Sequence, residues 1–142
     1  TSLNYRDYGF ITGTYGFPGT LPLTLGSDAA GEVVAVGPGV TRWKAGDRVV
    51  SLLRQQWHQG KLTPDNARAQ LGGTVPGVFS EHAVFHEEHL LAMPSMYTFE
   101  EAATLPTAGL TAFRALQLAQ LHPGDSVLVQ GTGAVSLFVL QM

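Results

Sequence analysis

The sequence predicts a β-rich module, built as a partial barrel, followed by the opening strand–helix unit of a doubly wound α/β domain. Short apolar runs between glycine and proline turns fill the first two-thirds of the chain, which is typical of small barrels and sandwiches. Near the C-terminus, the continuous apolar run at residues 127–129 leads through Gly131 and Gly133 into a segment that can start a helix at Ala134. Such a run indicates a strand buried on both faces of a parallel sheet.

The elements of the first part follow from apolar runs and the turns between them. Residues 54–75 are polar and rich in turn residues, which predicts a loop. Strands are predicted from the four apolar runs at residues 28–36, 48–53, 78–85 and 89–93.

Helical signals begin after residue 97. Thr98 and Glu101 have the spacing of a capping box, which predicts a short helix through Ala103 that is broken near Pro106. A second helix is predicted from about residue 108 to residue 120, and apolar residues on most of its circumference imply burial between two layers. The predicted divisions of the chain are a β-rich domain at residues 1–106, a bridging helix and turn at 107–122, and the start of the α/β domain at 123–142.

Composition excludes several classes of function. The net charge is −3, and without runs of Lys or Arg this argues against binding to nucleic acid. There is no apolar stretch long enough to span a bilayer, so a membrane protein is not expected. The absence of cysteine excludes disulfides, thiolate metal sites and a cysteine nucleophile, and it fits a reducing, cytoplasmic location. Charged residues make up only 13% of the chain, which suggests that partners or further segments cover much of the surface.

The glycine turn near the C-terminus predicts a phosphate site. Glycines let the backbone approach a pyrophosphate, and the N–H groups that open the helix favour its negative charge. The motif is imperfect because Ser136 stands at the third glycine position, so an ordinary glycine turn is the alternative interpretation. The acidic residue expected about 20 residues later lies beyond this chain, which we expect to hold only the first unit of the domain. The predicted cofactor-binding residues here are Gly131, Thr132, Gly133, Ala134 and Val135.

Other chemistry-bearing residues give weaker signals. The spacing of His82, His86 and His89 would suit a metal site on a helix, but they lie in or near a predicted strand, so we predict no metal site. Trp57 and His58 lie in the predicted loop, where they line a substrate pocket or pack the loop. No Gly-x-Ser-x-Gly motif is present, which argues against a serine hydrolase.

Five stretches in this order resemble the medium-chain dehydrogenase/reductase superfamily. In that superfamily a GroES-like catalytic domain precedes a Rossmann cofactor domain. The resemblance implies that the chain is truncated at both ends, without the opening strands and closing segment of the catalytic domain and without most of the Rossmann domain. The matching stretches are residues 3–7, 26–40, 44–49, 99–112 and 123–133.

The resemblance also indicates a branch of the superfamily. Its zinc alcohol dehydrogenases bind catalytic zinc through two cysteines and a histidine, and those places fall on Asn4, Ser27 and Thr107. An amide and two hydroxyls are poor zinc ligands. The chain therefore resembles the zinc-independent quinone reductases, 2-enoyl thioester reductases and enoyl reductase modules of polyketide and fatty acid synthases.

This branch implies hydride transfer from NADPH, with NADH possible, to the β-carbon of an activated C=C bond. By resemblance to the enoyl reductases, Tyr15 is the proposed acid, since a phenol is protonated at neutral pH and can donate to a developing enolate. The alternative is a purely structural role, in which the Tyr15 ring packs at the mouth of a pocket. Asn4 would bond near the nicotinamide or the substrate carbonyl, or be a satisfied turn residue. Thr111 matches the position that contacts the nicotinamide in the superfamily, and Thr107 lies on the same helix face one turn earlier. The alternative for both is that a threonine inside a helix often bonds back to its own backbone.

The function implied for the intact protein is thus reduction of an enone, a quinone or a 2-enoyl thioester, with a small-molecule substrate and a homodimeric assembly. This chain alone is expected to be incomplete and inactive. One alternative is a non-catalytic fragment or interaction module, since a single strand–helix unit leaves an open strand edge. The other is a zinc-free alcohol or carbonyl dehydrogenase.

Overall fold

The computed structural model describes residues 1–15 and 21–142. Its sheet has three antiparallel strands in the order β1–β2–β3, with Ala30 opposite Val50 and Val50 opposite Leu91. The sheet is open, and a small core of Val50, Met93 and Ala102 lies on one face. The strand bounds are β1 Ala30–Glu32, β2 Arg48–Ser51 and β3 Leu90–Ala92. All three are shorter than predicted, because the β-pairing stops where the chain turns away from its neighbour.

A helix that the apolar pattern does not predict opens the chain. Helix α1 spans Tyr5–Ile11, with Asn4 as its N-cap. The Asp7 carboxylate accepts the Asn4 backbone N–H at 2.8 Å, which satisfies one of the groups that a helix start leaves free. The helix ends before Gly13, whose φ of 69° is left-handed. Asn4 and Asp7, three residues apart, therefore act together as a capping signal for this helix.

The bridging region contains two helical segments joined by a short turn. Helix α2 spans Phe99–Ala102, and its predicted capping box is confirmed: the Thr98 hydroxyl accepts the Glu101 N–H at 3.2 Å. The helix ends one residue before the predicted Ala103, and the break that follows is a turn at residues 103–104, ahead of Pro106. A π-helical turn, Leu105–Gly109, runs directly into helix α3, Leu110–Ala119. Pro106 stands in the first turn of the π-helix, where a missing N–H breaks no helical hydrogen bond.

Two predicted strands are not formed. Residues 78–85 are irregular, because their first N–H groups bond to the backbone at residues 25–26 instead of a strand partner. Residues 127–129 have no partner among the described residues, and Leu128 is 88% exposed. The glycine turn after them and helix α4, Ala134–Gln141, are formed as predicted.

Helix α3 is not buried between two layers in this chain. Helix α4 packs against it, yet Leu118 remains 72% exposed and only Ala112 of α3 is fully buried. No helix in the described part of the chain is both long and apolar enough to cross a membrane.

A short 3₁₀ turn, Glu87–His89, precedes β3 and is hydrogen-bonded to the loop at residues 41–42, which precedes β2. The Glu87 carboxylate accepts the backbone N–H groups of Arg42 at 2.8 Å and Thr41 at 3.0 Å. These hydrogen bonds, that from Arg42 first, lower the pKa of Glu87 because they favour its ionised form.

Candidate active site

Four polar side chains from three distant parts of the chain form one hydrogen-bonded cluster, with the buried carboxylate of Asp28 at its centre. Asp28 accepts the Asn4 side-chain amide at 2.8 Å and the Thr107 hydroxyl at 2.6 Å. The same Asn4 amide nitrogen donates to the Ser27 hydroxyl at 3.2 Å. Asp28 and Ser27 have no solvent-exposed surface. The three places that correspond to zinc ligands in the superfamily, Asn4, Ser27 and Thr107, are therefore brought together, and Asp28 is the group that joins them.

Each member is positioned by a different local structure. Asn4 is held by its role as the N-cap of α1, and Thr107 lies in the π-helical turn, a feature that is often found at functional sites. Asp28 lies two residues after Gly26, whose N–H donates to Asp7 at 3.3 Å. This hydrogen bond ties the segment that carries Asp28 to the first turn of α1. The Ser2 N–H donates to the Asp28 carbonyl at 3.2 Å, which fixes the backbone of Asp28 as well.

Burial dominates the electrostatics of Asp28. It raises the pKa of this carboxyl, because the ionised form is removed from water. The hydrogen bonds from Thr107 and Asn4 and the charge of Arg6 oppose that rise, while the charge of Asp7 adds to it. Asp28 was not among the predicted site residues. The available signal was an acidic residue directly before an apolar run, which needs partners if it is buried.

Tyr15 packs on the same side of the chain as α1. Its ring lies 5.0 Å from the Phe10 ring, and the Arg6 guanidinium is 5.9 Å from the Tyr15 ring. Tyr15 is 36% exposed, and no hydrogen bond joins its hydroxyl to the described residues. Gly16, the residue that follows, lies outside the described residues. Arg6 itself is 6% exposed and donates to the Leu71 carbonyl at 2.9 Å.

The two threonines of the bridging region share a helix face. The Thr111 hydroxyl donates to the Thr107 carbonyl at 2.6 Å, the back-bonding that is common for threonine inside a helix. The side chain of Thr111 is nonetheless exposed, and its oxygen can still accept a hydrogen bond. Contact with a nicotinamide stays a prediction for both residues.

The glycine turn has the form that a phosphate site requires. Gly131 has a φ of 78°, which only glycine adopts readily, and nothing lies within 4 Å of the position of a β-carbon at Gly131 or Gly133. Gly133 is the N-cap of α4, and no side chain caps the free N–H groups of that helix. Thr132, Ala134 and Val135 are exposed there. These residues fit a pyrophosphate, because open backbone N–H groups at a helix start favour an anion.

The comparison with known families decides the assignment. Residues 1–95 match the alcohol dehydrogenase GroES-like domain. The chain belongs to the medium-chain dehydrogenase/reductase superfamily.

Individual relatives within the superfamily match nearly the whole chain. It is 42% identical to a zinc-type alcohol dehydrogenase-like protein of Schizosaccharomyces pombe, over 99% of this chain and 41% of that protein. It is 38% identical to a quinone oxidoreductase of Pseudomonas aeruginosa, over 98% of this chain and 37% of that protein. A solved Sinorhizobium meliloti structure, assigned to an alcohol dehydrogenase, has a TM-score of 0.87 and 43% identity, over 99% of this chain and 42% of that one.

The chain thus spans about two fifths of the length of these superfamily members. The names of other matches include an acryloyl-coenzyme A reductase, a mitochondrial enoyl-[acyl-carrier-protein] reductase and an (R,R)-butanediol dehydrogenase. Solved neighbours include an NAD-dependent alcohol dehydrogenase and a Salmonella enterica oxidoreductase in complex with NADP. The names of these relatives thus include both dehydrogenases of alcohols and reductases of quinones and enoyl compounds, and two of the solved neighbours are named with NAD or NADP.

The residues of this superfamily member do not fit a catalytic zinc ion. Zinc sites use cysteine, histidine or carboxylate ligands. Here an amide and two hydroxyls take the three places, and both oxygens of the adjacent Asp28 carboxylate already accept hydrogen bonds. Within residues 1–15 and 21–142, no three histidine, aspartate or glutamate side chains are arranged to hold a metal ion.

Three of the histidines, His58, His86 and His89, form a separate cluster. The rings of His58 and His86 lie 5.5 Å and 5.3 Å from that of His89. Burial, followed by the charges of His86 and His58, lowers the pKa of His89. Trp57 donates to the Gly60 carbonyl at 3.0 Å, so it packs the loop. A cleft of about 600 Å³ adjoins this cluster, and none of the predicted site residues lines it.

Proposed function

We propose that the intact protein is an NAD(P)H-dependent oxidoreductase that reduces an activated C=C bond without a catalytic zinc ion. The observation that carries the proposal is that Asn4, Ser27 and Thr107, residues that suit zinc poorly, take the places of the zinc ligands and are hydrogen-bonded in one cluster with Asp28. Without a Lewis acid at this place, a substrate carbonyl is activated only by hydrogen bonds. A quinone, an enone or a 2-enoyl thioester suits such a site, because hydride addition to its C=C bond leaves an enolate that a hydrogen-bond donor can stabilise.

Tyr15 is the proposed proton donor. When bound, the reduced nicotinamide supplies a hydride for the β-carbon of the substrate. Tyr15 donates a hydrogen bond to the developing enolate and gives its proton to the α-carbon, and solvent then restores the phenol. The contacts with Phe10 and the nearby Arg6 support this role, because they restrain the ring while the hydroxyl makes no hydrogen bond to the described residues.

The proposed cofactor is NADPH, held through its pyrophosphate at the glycine turn. Gly131 and Gly133 allow close approach of the backbone, and the N–H groups of Thr132, Ala134 and Val135 would donate to the phosphate oxygens. The resemblance to the zinc-independent branch implies NADPH rather than NADH, and the NADP complex of a solved neighbour supports it.

The direct test uses the full-length protein. NADPH-dependent reduction of a quinone, an enone and a 2-enoyl thioester is compared with NAD(P)⁺-dependent oxidation of alcohols, each with and without EDTA. We expect turnover of at least one alkene-type acceptor, unaffected by EDTA, and no stoichiometric zinc by elemental analysis. Zinc-dependent alcohol oxidation as the main activity would reject the proposal.

The role of Tyr15 has its own test. Tyr15→Phe removes the hydroxyl and keeps the ring, so kcat for alkene reduction should fall by about 10²-fold or more if Tyr15 is the acid. Tyr8→Phe is the matched control, because Tyr8 lies on α1 and is 58% exposed. An unchanged kcat in Tyr15→Phe removes the assignment.

A zinc-free alcohol or carbonyl dehydrogenase is the second candidate. The several relatives with alcohol dehydrogenase names favour it. In that case the protein would oxidise alcohols in the presence of EDTA and leave all three alkene-type acceptors unreduced.

A further inference from the structure

The hydrogen bonds at Asp28 determine which polar atoms of the site remain for a ligand. A side-chain amide has two N–H donors, and a hydroxyl has one. Asn4 directs its nitrogen to both Asp28 and Ser27, at 2.8 and 3.2 Å. Thr107 gives its only O–H to Asp28, and Thr111 gives its only O–H to the Thr107 carbonyl.

We propose that Asp28 is the positioning residue of the site, which holds Asn4 and Thr107 in place and takes up their hydrogen-bond donors. This inference rests on the proposed function and extends it. Because their donors are used within the protein, Asn4, Thr107 and Thr111 can only accept a hydrogen bond from a ligand. They therefore suit a ligand group that donates, such as an amide or a hydroxyl.

The residues of the site therefore have two different roles, accepting hydrogen bonds from a ligand or donating them to it. A developing negative charge on a substrate oxygen needs donors. Asn4, Thr107 and Thr111 cannot supply them while Asp28 is ionised and in place. The hydroxyl of Tyr15 is then an exposed side-chain donor for the substrate, whereas the hydroxyl of Ser27, which accepts from Asn4, has no exposed surface. The acceptor-only residues serve to orient the donating ligand.

Burial makes Asp28 suited to positioning. Its carboxylate has no exposed surface, so water does not compete for its hydrogen bonds. Asp28 links the N-cap of α1 to the π-helical turn, where Thr107 is 79 residues from Asp28 in the sequence. Asp7, 4% exposed, is a matched comparison, because its carboxylate accepts only backbone N–H groups, those of Asn4 and Gly26.

The experiment measures kcat/KM and thermal stability of the full-length enzyme with the alkene-type acceptor that it turns over best. Asp28→Asn should lower kcat/KM by about 10- to 100-fold, since an amide oxygen can serve only one of the two donors and the other is left unpaired. Asp7→Asn should lower stability but should lower kcat/KM less than Asp28→Asn does, because the side chains of the site keep their partners. Equal kcat/KM losses in the two variants would overturn the proposal, since burial alone would then explain them.

A second pair of variants separates positioning from folding. Thr107→Ser keeps the hydroxyl and Thr107→Val removes it, so the serine variant should retain about tenfold more activity than the valine variant. Combining Asp28→Asn with Thr107→Val should cost little more than Asp28→Asn alone, because both changes break one interaction. Additive losses, or equal activity of the serine and valine variants, would overturn the role of Asp28.

A failure of the proposed function would be recognised separately. If the wild-type enzyme reduces none of the acceptors, the reaction assignment fails, and the affinity of the same variants for NADPH, followed by its fluorescence, tests Asp28. The ranking of the variants in Kd should then repeat the ranking given for kcat/KM. Wild-type affinity in Asp28→Asn would refute the positioning role as well.

Discussion

Gly77 offers the sharpest test of how the backbone beneath the site is held. A β-carbon at this position would lie 2.3 Å from the Gly26 carbonyl oxygen and 2.4 Å from the Leu25 carbonyl oxygen. Both obstacles are backbone, so no side chain can rotate away to admit it. Gly77→Ala must therefore push residues 25–26 and the segment at Gly77 apart.

The size of that displacement sets the energetic cost. Ordinary contact begins near 3.4 Å, so the two segments must separate by about 1 Å. Three backbone hydrogen bonds join them: Gly77 N–H to Thr24 at 2.7 Å, Val78 N–H to Gly26 at 3.0 Å and Phe79 N–H to Leu25 at 2.9 Å. Each contributes about 0.5–1.5 kcal/mol, so their disruption predicts a loss of about 2–4 kcal/mol in the free energy of unfolding.

Urea unfolding followed by circular dichroism measures this loss. Gly31→Ala is the control: Gly31 lies in β1, and a β-carbon there has nothing within 4 Å, so the expected change is within about 1 kcal/mol. Because residues 25–26 lead directly into Ser27, Gly77→Ala should also lower activity in the folded fraction. Equal unfolding free energies for the two variants would refute the close-packing argument.

Two further predictions concern stability. Thr98→Ala removes the cap of α2 and should lower the free energy of unfolding by about 1 kcal/mol in thermal denaturation, while Glu100→Gln, on the same turn but outside the capping box, should change little. Glu87 has a lowered pKa in the folded protein, so its contribution to stability is present above its unfolded-state pKa, near 4.5, and is lost as the pH falls through the folded-state value. The stability difference between wild type and Glu87→Gln should therefore shrink on acidification; a difference independent of pH would contradict the assignment.

The parts of the fold that sequence patterns predicted are those set by local chemistry. The capping box at Thr98 and the turn at Gly131 depend on residues within a few positions of each other, and both are present. The segments at 78–85 and 127–129 were wrong as strands because an apolar run shows only that a segment can pair. Whether it does depends on a neighbour, and the first segment bonds to residues 25–26 while the second has no partner in the described chain.

The site divides in the same way. The resemblance named Asn4, Ser27 and Thr107 one by one, and the structure joins Asn4 and Thr107 through one group, while Ser27 bonds to Asn4. That group, Asp28, was missed because nothing local distinguishes a buried aspartate from an exposed one ahead of a strand. Its burial is a tertiary property, set by α1 on one side and the π-helical turn on the other.

A carboxylate at the centre of the site has consequences that a metal would not have. A zinc ion would bind charged or imidazole ligands and act directly on the substrate. Asp28 instead receives neutral donors, so it orders Asn4 and Thr107 and directs their donors inward, away from the ligand. Hydrogen bonds to an ionised group contribute about 1.5–3 kcal/mol each, so two of them offset only part of the several kcal/mol that burial of one carboxylate costs, in keeping with the raised pKa of Asp28. The arrangement thus fixes the geometry of the site at a cost in stability, and it leaves activation of the substrate to a separate donor, for which Tyr15 is the residue proposed.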